Sequence, residues 1–141
     1  MKFLKNHILY IAWIVSLASI VISLYFSNVL NFTPCILCWY QRICMYPLAI
    51  ILGIGILKKD SSLFYYGFPL ALIGWLISIY HNLLYYKIIP ESAGPCIQGV
   101  SCTTKFIEYF GFVSIPFLSF LSFSIIIFCL WMYKKSDMIE A

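Results

Sequence analysis

Cys35 and Cys38 stand three positions apart in the stretch Thr33-Pro34-Cys35-Ile36-Leu37-Cys38-Trp39-Tyr40-Gln41-Arg42. Two thiols at that spacing can exchange disulfides with each other or with a third thiol, and the thiolate is the reacting species. Thr33 is placed to act as a helix N-cap and Pro34 as the first helical residue, where its missing N–H is not needed. Both cysteines then fall in the first turn and a half, where free backbone N–H groups and the positive end of the helix dipole favour a thiolate. Arg42 lies four residues beyond Cys38, on the same face and about 6 Å deeper along the axis. A cation in apolar surroundings is expensive, so its place beside a thiol pair calls for a use.

A second pair lies in Gly94-Pro95-Cys96-Ile97-Gln98-Gly99-Val100-Ser101-Cys102. A ring closed between Cys96 and Cys102 would add little stability, because the benefit of a crosslink grows with loop size. An exchangeable bridge able to reach a partner and return to Cys35 suits this loop better than a staple. His81, in Ile79-Tyr80-His81-Asn82, could hydrogen-bond a carbonyl or relay a proton. It could equally be an interfacial ring among tyrosines, a role that Trp39, Tyr40 and the tyrosines around it also fit. Cys44 and Cys129 are expected to pack as small apolar groups.

The elements that must position these groups are set by charge. The chain has 141 residues, 63% hydrophobic and only 10% charged, with mean hydropathy +0.96; a soluble domain carries about 25% charge. Charged residues leave four uncharged stretches, 6–41, 43–57, 61–86 and 109–133, and a membrane helix needs about 20 apolar residues. The second is long enough only if its helix keeps Arg42 in its first turns. The expectation is an all-α integral membrane protein, one domain over residues 1–141, with a four-transmembrane-helix bundle at about 8–28, 36–57, 62–85 and 112–133. Outer loops fall at about 29–35 and 86–111. The first apolar run is longer than a signal peptide's core and no small-residue cleavage site follows it, so it is expected to stay as a membrane helix. Pro47, Pro69 and Pro116 fall inside these spans and are expected to kink them.

Lys2, Lys5, Lys58, Lys59, Lys134 and Lys135 share one side, six of the nine basic residues. Basic loops stay in the cytoplasm, so both termini are expected to be cytoplasmic, and all four cysteines of the two pairs outside, where disulfides persist. The net charge of +4 therefore reads as a topology signal, and no nucleic-acid partner is inferred from it. Redox exchange is the preferred reading of the cysteines. A structural disulfide at Cys35 and Cys38, a zinc site from all four outer cysteines, and an Arg42 that simply reaches headgroups stay open at this level.

The Cys35-Ile36-Leu37-Cys38-Trp39-Tyr40-Gln41-Arg42 element opening the second helix, the second pair in the next outer loop, and four helices with both termini inside resemble the DsbB/BdbC family of quinone-dependent disulfide-formation proteins. The short spacing of the second pair and Gly111-Phe112-Val113-Ser114-Ile115-Pro116-Phe117 resemble its Gram-positive, BdbC-like branch. That resemblance implies a membrane thiol-disulfide oxidoreductase of the bacterial plasma membrane. It would reoxidise an extracytoplasmic thioredoxin-like partner and pass two electrons to a membrane quinone, menaquinone rather than ubiquinone. It implies disulfides Cys35–Cys38 and Cys96–Cys102, with Cys96 attacked by the partner's thiolate and Cys38 donating to the quinone. Arg42, and with it His81, would hold the quinone's carbonyls; no resident metal is implied. The rival readings are a vitamin-K-epoxide-reductase-like enzyme, disfavoured because the last helix has only Cys129, and a non-enzymatic scaffold with static disulfides. A reporter fused after Lys135 should be cytoplasmic; an extracytoplasmic reporter would overturn the count of four helices.

Overall fold

The computed structural model describes residues 2–90, 92 and 114–140. Cys96, Cys102 and most of the loop expected at 86–111 lie outside the described residues. Four helices form: α1 (Lys2–Asn28), α2 (Ile36–Lys58), α3 (Leu63–Tyr85) and α4 (Ile115–Glu140). Each contains a stretch long and apolar enough to cross a membrane. The α1–α2, α2–α3, α3–α4 and α4–α1 pairs pack together, so the helices form a ring in chain order.

The outer helices are longer than the apolar pattern suggests. α1 starts at Lys2 rather than about 8, and α4 runs to Glu140 rather than 133. Apolar length reports bilayer thickness, whereas the helix itself stops only where a breaker or cap intervenes. No glycine or proline lies in residues 2–7 or 134–140. The start of α4 is later than expected, at Ile115. Ser114 accepts the N–H of Phe117 on its hydroxyl (3.4 Å) and that of Leu118 on its carbonyl (3.1 Å), as an N-cap does. Pro116 lies within the span as anticipated, but in its first turn, where no N–H is required and the proline need not kink the helix. Pro47 and Pro69 do lie inside α2 and α3, and both helices continue through them.

Two helices end alike. Lys59 after α2 and Lys87 after α3 take positive φ (51° and 57°). Their flanking amides fold back, Asp60 N–H to Gly55 O (3.1 Å) and Ile88 N–H to Leu83 O (3.0 Å), closing the last turn in the Schellman manner. Asp60 organises the turn after α2. Its carboxylate accepts the Tyr66 hydroxyl and the Ser62 N–H (2.8 Å), which hold its pKa below the usual carboxylate value. From α4, the Tyr133 hydroxyl donates to the Asp60 carbonyl (2.9 Å), and Lys134 Nζ donates to the Tyr65 hydroxyl (3.1 Å).

The core joins all four helices through Leu9, Ala12, Leu48, Leu52, Leu63, Ala71, Phe123, Ile126 and Leu130. Cys44 and Cys129 belong to it, which bears out their reading as packing residues. Large apolar side chains such as Val21, Ile43, Ile50, Leu57 and Phe128 face outward. An apolar coat of that extent needs lipid rather than water around it. Between α3 and α4 the contact is close: the Trp75 indole donates to Ser124 Oγ (2.9 Å), and a Cβ on Gly74 would sit 2.3 Å from the Phe123 ring. Gly74 is what lets that fully buried ring lie against the α3 backbone. Gly74→Ala should lower unfolding stability in detergent by about 1–3 kcal/mol through overpacking, and a second substitution, Phe123→Leu, should restore part of it.

Candidate functional site

The polar groups of the bundle converge at the Cys35 end of α2. The residue capping that helix is Cys35 itself, with φ −71° and ψ 169°, and its carbonyl accepts the Trp39 N–H (3.2 Å). Thr33 and Pro34 precede the helix instead of capping and opening it. Cys38 then lies in the first turn of α2. The Sγ atoms are 3.2 Å apart and unbonded, so the structure presents the dithiol; the disulfide expected between them would be the other redox state of the same pair.

From α3, His81 is buried at 2% exposure, with its ring turned toward the neighbouring helices. Its Nε2 is 3.7 Å from Cys35 Sγ and its Nδ1 is 3.4 Å from Gln41 Nε2. With the Gln41 amide donating to Nδ1, Nε2 carries the ring proton and turns it toward the Cys35 sulfur. The hydrogen bond with Cys38, and after it His81, lowers the pKa of the Cys35 thiol from its ordinary value, against the opposing effect of burial.

Arg42 does not reach up to headgroups. It turns to α1, where Nε donates to Ser23 Oγ (2.9 Å). Nη2 donates to the Ser23 carbonyl (2.9 Å) and to Ser27 Oγ. The guanidinium also lies 5.4 Å from the centre of the Trp39 ring, itself half exposed, and Arg42 is 9% exposed. Among the described residues, no hydrogen bond uses Nη1. Ser23 and Ser27 were not singled out from sequence, nor was Gln41. The available signal was Ser16, Ser19, Ser23 and Ser27 at helical spacing along one face of α1, a polar stripe with no obvious partner until Arg42 is placed.

These groups line one cavity of about 180 Å³. Arg42, His81, Gln41, Cys35 and Cys38 supply its chemistry, and Phe26, Met45, Tyr85, Pro116 and Phe123 are among its mostly apolar walls. Tyr85 is buried there, whereas Tyr40 stays exposed as an anchor would. Cys35, Cys38, Arg42 and His81 are thus brought together. Cys96 and Cys102 fall outside the described residues, so their bridge and its reach to Cys35 stay expectations.

Stability should respond to the arginine clamp in a particular order. Removing both acceptor hydroxyls, Ser23→Ala with Ser27→Ala, leaves a buried cation short of partners and should cost about 1–3 kcal/mol. Arg42→Met removes the charge together with its desolvation penalty and should cost less. Thermal unfolding of the two variants in detergent compares them directly; a larger loss for Arg42→Met would contradict the clamp.

The family described as "Disulfide bond formation protein DsbB" matches residues 5–133 of the chain. "Disulfide bond formation protein C" of Bacillus subtilis (strain 168) is 46% identical over 140 residues, covering 95% of this chain and 100% of its own length. "Probable disulfide formation protein C 2" of Bacillus anthracis is 45% identical over 132 residues, 93% of each chain. "Probable disulfide formation protein C" of Halalkalibacterium halodurans is 45% identical over 118 residues, 84% of this chain and 86% of its own. No solved structure gives a significant match.

Proposed function

Because the chain belongs to the DsbB family of disulfide bond formation proteins, we propose that it is a membrane thiol-disulfide oxidoreductase that draws electrons from an extracytoplasmic thioredoxin-like partner and delivers them to a membrane quinone. One observation carries this reading: the Cys35–Cys38 pair, 3.2 Å apart, opens onto the same cavity as Arg42 and His81. Static disulfides in a scaffold would leave a buried arginine and histidine beside the pair without a task. Both termini are cytoplasmic in this reading, and the cavity end of the bundle faces outward across a bacterial plasma membrane.

The exchange steps balance within the cysteines. A thiolate of the partner attacks Cys96, the Cys96–Cys102 bond breaks, and the partner's second thiol resolves the mixed disulfide. The partner leaves with its disulfide, and the loop pair holds two electrons and two protons. A loop thiolate then attacks the Cys35–Cys38 disulfide at Cys35, and Cys38 is released as the leaving thiol. Closure of the loop disulfide leaves the α2 pair as the dithiol. His81 faces the Cys35 sulfur and carries a proton at Nε2, which suits it to stabilise charge arriving there.

The cavity fits a quinone head. Its walls are mostly apolar, as a flat hydrocarbon ring requires, and it offers only a few convergent polar groups. Arg42 would hold one ring oxygen through the Nη1 group that α1 leaves unused, with His81 positioned for the other. The chemistry supplied by a bound quinone is uptake of the pair's two electrons and two protons. Ser23 and Ser27 fix the guanidinium beforehand, so little ordering is left for the moment of binding. Menaquinone is preferred over ubiquinone on the BdbC-like branch resemblance.

Two variants separate the halves. Cys96→Ser should abolish covalent trapping of the thioredoxin-like partner yet leave the Cys35–Cys38 dithiol able to reduce added quinone. Cys38→Ser should remove quinone reduction while the loop pair still traps the partner once. Equal loss of both half-reactions in both variants would overturn the relay. Arg42→Lys keeps the charge without the planar fork and should raise the quinone KM while trapping through Cys96 continues. A quinone titration of turnover checks it, and an unchanged KM would place the ring elsewhere.

A further inference from the structure

The sulfurs of Cys35 and Cys38 and a ring nitrogen of His81 all lie within 4.8 Å of one another. Two thiolates and an imidazole are a donor set that soft and borderline d10 cations prefer. Ligand atoms around tetrahedral zinc sit about 3.5–3.8 Å apart, from bond lengths of about 2.3 Å to sulfur and 2.0–2.1 Å to nitrogen. The Cys35 Sγ to His81 Nε2 distance, 3.7 Å, already matches. The Sγ–Sγ distance, 3.2 Å, needs to open by only about 0.5 Å to reach that spacing. Gln41 stands behind the imidazole at Nδ1, 3.4 Å away; metal binding at Nε2 moves the ring proton to Nδ1, where the Gln41 amide turns over to accept it on its oxygen, as the partner of a metal-binding histidine does. Three ligands from two helices, with the cavity beside them, leave a fourth position for water.

We propose that the reduced Cys35–Cys38 pair, together with His81, is a three-ligand site for a thiophilic divalent cation such as Zn²⁺, and that occupation of it blocks disulfide formation between the two cysteines. Only the dithiol can bind, because both sulfurs must be thiolates and each loses its proton to do so. The bound ion holds both sulfur electron pairs in coordination, so cation and disulfide exclude each other. His81 is the discriminating ligand: two adjacent cysteines alone would bind more weakly and without regard to α3. In the proposed function, on which this last clause rests, such a cation inhibits turnover by holding the enzyme in its reduced state.

The test uses the full chain in detergent with Cys96→Ser and Cys102→Ser, reduced and freed of reductant without air. Cadmium is the probe, read by its thiolate charge-transfer absorbance, and zinc is then measured by competition. One ion should bind per chain. Cys38→Ser should abolish binding, His81→Ala should weaken it by roughly tenfold or more, a difference of about 1.4 kcal/mol upward, and His81→Cys should recover it by restoring a third ligand. Saturating Zn²⁺ should also slow oxidation of the pair by diamide, a reagent that needs no quinone. Equal affinity in His81→Ala, or diamide oxidation unchanged by Zn²⁺, would overturn the site. Quinone reduction is scored separately on the metal-free protein, so failure there with cadmium binding intact would count against the electron path and not against the metal site.

Discussion

A guanidinium inside an apolar bundle has to be hydrogen-bonded, and much of this structure follows from how Arg42 meets that demand. Three of its hydrogen bonds go to α1, through Ser23 and Ser27. They set how α1 is turned against α2 near the cysteines, because only the serine-bearing face can answer the arginine. They also direct the side chain across the cavity instead of up toward the membrane surface. The bundle therefore carries its most expensive side chain where a ligand with electron-rich oxygens can share it. In lipid, where helices gain nothing by hiding apolar surface from one another, such interhelical hydrogen bonds contribute to choosing the partner face.

The same cavity has a second polar centre with a different anchor. Gln41 and Arg42 are neighbours in sequence, yet they serve different helices: Arg42 turns to α1, and Gln41 turns to His81 on α3. Consecutive residues on a helix are about 100° apart, so two adjacent polar residues can address both neighbours of α2 at once. Cys35 and Cys38 lie between these two arms. The thiol pair is thereby bracketed by a fixed cation on one side and an oriented imidazole on the other.

Much of this was legible in the sequence. Charge placement located four spans, and the Cys35, Cys38 and Arg42 spacing put those groups on one face of α2. What the sequence left open was rotation about each helix axis. Whether His81 faces lipid, headgroups or the bundle depends on how α3 is turned, and that is decided by features such as Gly74 against Phe123 and Trp75 against Ser124. The serines of α1 were invisible for a related reason: serine in an apolar helix usually bonds its own backbone, as Ser16 and Ser19 do here. The start of α2 at about 36 was legible but its cap was not, being Cys35 rather than Thr33, and α4 starts at Ile115 rather than about 112 because Ser114 caps it. The outer loop's Cys96 and Cys102 remain expectations from sequence.

The turn after α2 gives the bundle two unlike ends. Tyr133 reaches from α4 to the Asp60 carbonyl, Tyr66 and Ser62 grip the same aspartate, and Lys134 meets Tyr65. These contacts fasten α2, α3 and α4 at their base, while the cavity lies toward the opposite end, near the start of α2 and the close of α3. The cavity end is tied by side chains instead: Arg42 to α1, Gln41 to His81 on α3, and the Asn82 amide of α3 to the Pro116 carbonyl of α4 (2.9 Å). One end is thus closed by a turn and its backbone contacts, whereas the other is framed by polar side chains that also line the cavity, so the groups that fix the width of the mouth are the ones a bound ligand meets.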